Sequence, residues 1–247
     1  MKPHYLAIIS AGRPQQVEPM CLLGAERAIW YVPDDEIATY QAAGAERVVA
    51  GGGLVEARNL ALDHAFADGL PCVQLSDDLK RTSRLAADGS AERIPLEEAI
   101  DILVGSLGSI RLAGVAPTDN PFFAKNRINP SAFIVGDLFA AAPSDPRFDP
   151  ALKLKEDYDY TCQHMQAYGA VARHDYLLAS FKHRTNPGGA VAYRTSDLEQ
   201  EAIAILMAKW PGLVVKNSKR ANEVLLRLGS TPSSHKATPL RRKRVLN

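Results

Sequence analysis

Through the first half of the chain, apolar residues gather in short runs that stop at turn residues. Residues 5–10 (YLAIIS) predict a strand that ends at Ala11-Gly12-Arg13-Pro14, a turn signal. Residues 28–32 (AIWYV) predict a second strand. Pro33-Asp34-Asp35-Glu36 follows, with acids where a helix over 37–43 places its positive end. Residues 46–50 predict a third strand, closed by Gly51-Gly52-Gly53. Over 55–67, Val55, Leu60, Leu62, Ala65 and Phe66 recur at helical spacing. Residues 71–75 (PCVQL) predict a fourth strand, stopped by Ser76-Asp77-Asp78, and a helix is expected over 94–113, opened by Pro95 and two glutamates. Such alternation predicts an α/β fold: a mostly parallel central sheet with helices on both faces.

The second half is less regular. Residues 122–137 predict two strands joined around Asn129-Pro130, 155–168 a helix, and 170–182 a strand region. Residues 184–193 carry Thr185-Asn186-Pro187-Gly188-Gly189, a flexible-loop signal. Ser196–Lys209 reads as a helix capped by Ser196, with Glu199 as its reciprocal partner. With no internal repeat and no linker before about Ser230, one domain over 1–229 and a flexible basic tail over 230–247 are expected.

Composition narrows the class. The chain has 247 residues, 46% hydrophobic and 23% charged, which excludes a disordered, collagen-like or disulfide-scaffold protein. Cys21, Cys72 and Cys162 are far apart in apolar stretches and form no CxxC pair, so they read as reduced core residues in a cytoplasm. No apolar run reaches the roughly 18 residues of a membrane span, so no membrane partner is expected. The opening Met1-Lys2-Pro3-His4-Tyr5 is not read as a secretory signal.

The formal net charge of +1 hides an asymmetry. From Lys216 to Asn247 there are nine basic residues and one acid, Glu223, so this segment carries +8 and the remainder −7. A cationic segment on an acidic body suits a phosphate backbone, or it serves only solubility.

Three constellations bear chemistry. Leu75-Ser76-Asp77-Asp78 ends a buried strand, where open α/β sheets bind ligands. Acids there suit Mg²⁺ or Mn²⁺ on a diphosphate, or they simply cap a turn. Lys155-Glu156-Asp157-Tyr158-Asp159 opens a helix, so its acids are either dipole partners or a base for an attacking hydroxyl. Phe181-Lys182-His183-Arg184 precedes the glycine loop. There His183 is either a metal ligand or a structural histidine, and Lys182 and Arg184 suit a diphosphate. The run Gly51–Gly53 is neither a P-loop nor GxGxxG, but it places a helix start and Arg58 where phosphate donors are useful.

In order and spacing these motifs resemble nucleotide-sugar glycosyltransferases of the GT-A fold. They are Ala11-Gly12-Arg13-Pro14, Gly53 with Ala57-Arg58-Asn59, Ser76-Asp77-Asp78, Glu156-Asp157, and His183 before Gly188-Gly189. The resemblance spans about residues 4–210. Within that class the chain looks most like the phage and TET-associated glycosyltransferases, which act on hydroxymethylated pyrimidines in DNA. The resemblance implies that Ala11, Gly12 and Arg13 grip the base and ribose of a UDP-sugar. It implies that Asp34 or Asp35 holds uracil or ribose, and that Arg58 and Asn59 contact base or diphosphate. Ser76-Asp77-Asp78 stands where these enzymes carry DxD, so the first acid is missing. Asp78 is left as metal ligand with Asp77 as helper, and His183 as a further ligand. The implied general base is Asp157, with Glu156 as rival. A bacterial or phage-infected cytoplasm and a hydroxymethylated-DNA acceptor go with this reading. A glycan, protein or small-molecule acceptor, or an inactive nucleotide-binding module, stands beside it.

Overall fold

The computed structural model describes residues 2–182, 189 and 193–228. In chain order the elements are β1 (Tyr5–Ile9), α1 (Val17–Met20), β2 (Ile29–Val32), α2 (Ile37–Ala42), β3 (Val48–Ala50), α3 (Leu54–Ala67), β4 (Cys72–Ser76), β5 (Leu79–Leu85), β6 (Ala91–Ile94), α4 (Leu96–Gly105) and β7 (Leu112–Val115). There follow β8 (Ile128–Asn129), β9 (Leu138–Ala141), α5 (Glu156–Tyr168), β10 (Ala172–His174), β11 (Leu177–Phe181), α6 (Ser196–Lys209), β12 (Val214–Lys216) and β13 (Val224–Leu226).

Eight strands form one sheet in the order β3-β2-β1-β4-β9-β7-β10-β8. β3, β2, β1 and β4 are parallel neighbours, β9 runs antiparallel between β4 and β7, and β10 is parallel to β7. The mixed α/β class with helices on both faces is the one the alternation predicts. On one face, Val17, Met20, Tyr40, Leu96, Ile100 and Leu103 pack against the sheet. On the other, Val55, Ala61, Leu62 and Ala65 of α3 pack with Phe139, Phe148 and Tyr160. β4 is buried along most of its length and β1 at its centre, as strands covered on both faces are. Buried Gln74 is satisfied within this core: it accepts from Arg58 Nη1 at 3.1 Å and donates to the Arg58 carbonyl at 2.8 Å.

The connections create a crevice. From β1 the chain moves to β2 and β3 on one side, then returns to β4 on the other side of β1. This is a topological switch point, and the loops after the two strands diverge there. Ile9 and Ser76 are paired at its rim.

Several expectations are corrected. The helix over 94–113 ends at Gly105; glycine and serine break it, and Leu112–Val115 is instead a fully buried strand. β5, β6 and β11 form a second, antiparallel sheet, of which the sequence pattern anticipates only β11. Over 122–137 there is only a short 3₁₀ turn and the two-residue β8. The cap of α6 is Thr195, whose hydroxyl accepts from the Leu198 amide at 3.3 Å, which frees Glu199 for another task. β12 and β13 form a hairpin whose Val214, Val224 and Leu226 join Ile203, Leu206 and Trp210 in a third apolar cluster. The first residues of the basic segment are therefore folded; those from 229 onward lie outside the described residues. The three cysteines are free, with Cys72 and Cys162 buried. Among the described residues no helix is long and apolar enough to cross a membrane.

Candidate active site

A cavity of about 920 Å³ opens at the switch point. Its walls come from the turn after β1, the start of α3, the end of β4, the loop before β9, the start of α5 and the residues before α6.

Asp77 is the anchor of the first wall. It is 2% exposed, its Oδ1 accepts from Arg13 Nη1 at 2.8 Å, and its Oδ2 accepts from Ser10 Oγ at 2.5 Å. Burial pushes its carboxyl above the ordinary range, opposed by Ser10 and Arg13. Ser10 also meets Tyr40 Oη at 2.5 Å, and that oxygen accepts from the Arg13 amide at 3.0 Å. Asp77 thus fastens the turn after β1 to the end of β4, with both oxygens occupied. Asp78 is 4% exposed and accepts from Ser76 Oγ at 3.0 Å, while its carbonyl receives the Lys182 amide at 3.0 Å. The Lys182 backbone therefore lies beside Asp78, but Lys182 does not line the cavity; His183 and Arg184 lie outside the described residues. Among the described residues no three His, Cys, Asp or Glu side chains converge to hold a metal.

The turn itself differs from expectation in one partner. Ala11 and Gly12 line the cavity, but Asp34 and Asp35 are exposed and do not. Glu36 lines it instead and accepts from the Gly12 amide at 2.6 Å. The 3₁₀ turn over Asp34–Glu36 rotates the two aspartates outward and the glutamate in. Gly189, from the expected loop, donates its amide to the Ala11 carbonyl at 3.0 Å. A Cβ there would lie 3.1 Å from Arg13 Nη2, so Gly189 itself packs against the first wall.

At α3 the glycine run is a packing device. A Cβ on Gly51 would lie 2.9 Å from that of Ala57, and one on Gly53 2.6 Å from Glu56 Oε2. Gly52, Gly53 and Leu54 line the cavity, so the helix start faces it as expected. Arg58 also lines it, but its guanidinium is committed to the protein. Nη2 donates to the Gly136 carbonyl at 3.0 Å, Nε lies 3.2 Å from Glu156 Oε1, and the plane covers Phe148 at 5.2 Å. Asn59 is corrected: it does not line the cavity. Its amide exchanges two hydrogen bonds with the backbone of Phe148, at 2.8 and 2.9 Å, and pins that loop.

The acids of α5 line a further part of the wall, beside Gly136 and Arg58. Lys155 adopts a left-handed conformation (φ 60°) that turns the chain into the helix. Glu156 is neutralised by Arg58, whereas Asp157 faces the cavity with each oxygen accepting one main-chain amide, from Gly136 and Tyr158, both at 3.0 Å. Burial, then Glu156, raise the Asp157 carboxyl to about 7. The third acid of the motif, Asp159, points elsewhere: it accepts from Trp210 Nε1 at 2.7 Å and Lys209 Nζ at 2.9 Å and ties α5 to α6.

Besides Glu36, the lining residues to which sequence reasoning gave no role include Asp137, Lys155, Tyr193 and Arg194. Asp137 reaches the rim because β9 pairs with β4, which sets its carbonyl 2.8 Å from the Ser76 amide. Lys155 and Arg194 share one buried partner, Glu199, with Arg194 Nε 3.5 Å from Oε1 and Lys155 ion-paired to Oε2. Glu199 is 6% exposed, so α6 holds two cations at the cavity wall.

No family model matches the sequence, and no curated protein does. Among solved structures, the chain is similar to mannose-1-phosphate geranyltransferase from Thermus thermophilus, at 14% identity and a TM-score of 0.35, over 71% of this chain and 57% of that one. It is also similar to the apo form of mouse xyloside xylosyltransferase 1, at 10% identity and a TM-score of 0.35, over 70% of this chain and 78% of that one. The chain thus spans less than two thirds of the first of these proteins.

Proposed function

We propose that the chain is a glycosyltransferase that moves a sugar from a UDP-sugar to a hydroxyl. The observation that carries this reading is one large cleft at the switch point, lined with acids from both the end of β4, Asp78, and the start of α5, Asp157. In this reading Glu36 takes the role that the resemblance gave to Asp34 or Asp35, and accepts from ribose hydroxyls. Arg13 and Arg58 act as braces of the walls, while Lys155, Arg194, Lys182 and the start of α3 serve the diphosphate.

The charge of the cleft supports a divalent cation. Its described lining carries six carboxylates (Glu36, Asp77, Asp78, Asp137, Glu156, Asp157) against four cations (Arg13, Arg58, Lys155, Arg194). An anionic donor entering such a cleft alone is repelled. Mg²⁺ commonly takes one or two carboxylates and completes its shell from substrate phosphates. Asp78 and the neighbouring Asp137 fit that donor set for Mn²⁺ or Mg²⁺; Asp77 braces from behind, and His183 remains a proposed further ligand. A cation held by Asp78 and Asp137 would supply charge stabilisation to the departing diphosphate. Asp157, held near neutrality by its surroundings, receives the acceptor's hydroxyl proton on Oδ. The acceptor's oxygen then bonds to the anomeric carbon as the bond from that carbon to the phosphate oxygen breaks and the nucleoside diphosphate leaves. Glu156, fixed by Arg58, orients the helix start.

For the acceptor we favour hydroxymethylated pyrimidines in DNA, supported by the +8 segment from Lys216 onward. The test is incubation with UDP-sugars, Mn²⁺ and hydroxymethylated DNA, followed by mass spectrometry of the nucleosides. A hexose-mass increment that disappears in Asp78→Ala is expected. Transfer to glycans alone would reassign the acceptor. An inability to hydrolyse any donor would leave a nucleotide-binding module.

A further inference from the structure

A smaller cavity of about 200 Å³ adjoins the cleft, and Val135 and Asp137 line both. At roughly 30 Å³ per water it holds six or seven water volumes, the room for one ring. Its polar lining is Thr118, Asp119 and Asp137; the rest is apolar, including Phe181 and Val135. Among the described residues no Lys or Arg lines it. Arg81 approaches Asp119 only to 4.0 Å and is not part of the wall. An anion entering this cavity meets two carboxylates, whereas a hydroxyl finds acceptors on both.

Beyond Asp119 the chain presents an aromatic pair to solvent. Phe122 and Phe123 are 84% and 64% exposed, edge to face at 5.1 Å. Asn120 accepts from the Phe122 amide at 3.0 Å, which fixes the turn that holds the rings out. Two adjacent rings kept out of the core are stacking surface for a planar or ring-shaped ligand.

We propose that the smaller cavity is the acceptor subsite. It takes an uncharged, hydroxyl-bearing ring, with Thr118 and Asp119 accepting from its outer hydroxyls, its reacting hydroxyl directed past Asp137 into the cleft that holds Asp157, and Phe122 and Phe123 packing the remainder of the acceptor. The inference rests on the donor reading above, because it places the donor across Asp137. A pyrimidine nucleoside and a hexose share the required chemistry, and the probes distinguish them.

The test uses the full chain saturated with UDP and Mn²⁺. The probes are 5-hydroxymethyl-2′-deoxycytidine, methyl glucoside and, as the anionic counterpart, glucuronic acid, each followed by ligand-observed NMR. One of the two neutral rings is expected to bind and glucuronic acid is not. Thr118→Trp, which fills the cavity, is expected to raise the Kd of that ring at least tenfold. The Phe122→Ala/Phe123→Ala double variant, on the exposed turn, is expected to raise it three- to tenfold. Equal binding by both variants and the parent chain, preference for glucuronic acid, or binding of neither neutral ring would overturn the assignment. Failure to bind UDP itself, read separately by calorimetry, would defeat the donor reading instead.

Discussion

Asp157 carries the sharpest expectations because its protonation couples stability to activity. Its carboxyl is raised in the fold from 3.8 to about 7, so between those values the native state holds a proton that the unfolded chain has released. Stability contributed by this group therefore falls as pH rises through that window and is fully present only below it. Thermal unfolding of Asp157→Asn should lose that part of the decline between about pH 4 and 7. Its transfer rate should drop by about 10²- to 10⁴-fold, as expected for loss of a general base. A variant that keeps the parent's pH–rate limb would remove Asp157 from the role. Gly136 is a second single-atom dependence: a Cβ would lie 2.8 Å from Arg58 Nη2. Gly136→Ala should cost about 1–3 kcal/mol by overpacking, read as a lower melting temperature. Asn59 answers differently. It bonds to the Phe148 backbone, so Asn59→Ala should lower stability by about 1–3 kcal/mol while the donor KM stays within twofold. A tenfold rise in KM would return Asn59 to the binding surface.

The strands and helices that set the cleft are readable where burial is two-sided. β1, β2, β4 and α3 announce themselves because whole runs are apolar and end in glycine, proline or acid. β5 does not, since Lys80, Arg81 and Arg84 face solvent and its buried positions include Thr82 and Ser83, so its pattern lacks an apolar period. The overrun of α4 is of another kind: Ile110 and Leu112 continue an apolar rhythm beyond Gly105 and Ser106, where the helix stops, and Leu112 belongs to β7 instead. Glu36 and Asp137 escape sequence reasoning for another reason. Each enters the cleft through pairings made far along the chain, Gly12 for one and β4 against β9 for the other, and local sequence carries no trace of them. The acids of β4 and α5 are legible because an element boundary is a local event. α6 is an element whose effect on the cleft is indirect. Glu199→Gln should loosen Lys155 and Arg194 together, raising the donor KM several-fold with a smaller change in kcat. An unchanged KM would make Glu199 a purely internal partner.

Taken together, the chain is an acidic body with a cationic end, and this polarity has a measurable consequence for nucleic acid. Deleting residues 230–247 removes Lys236, Arg241, Arg242, Lys243 and Arg244. If this end lies along DNA, log affinity against log salt should flatten by about 0.9 for each phosphate no longer neutralised, and sequence preference should be untouched. An unaltered slope would assign these residues to solubility. The two indoles of the chain stand in separate cores: Trp30 within the main sheet, and Trp210 donating to Asp159 where α5, α6 and the terminal hairpin meet. That separation equips the protein with a built-in pair of fluorescent reporters. Replacing either indole by phenylalanine leaves the other to follow melting of its own region, so the two traces reveal whether the layer behind the acids of α5 comes apart with the sheet or ahead of it.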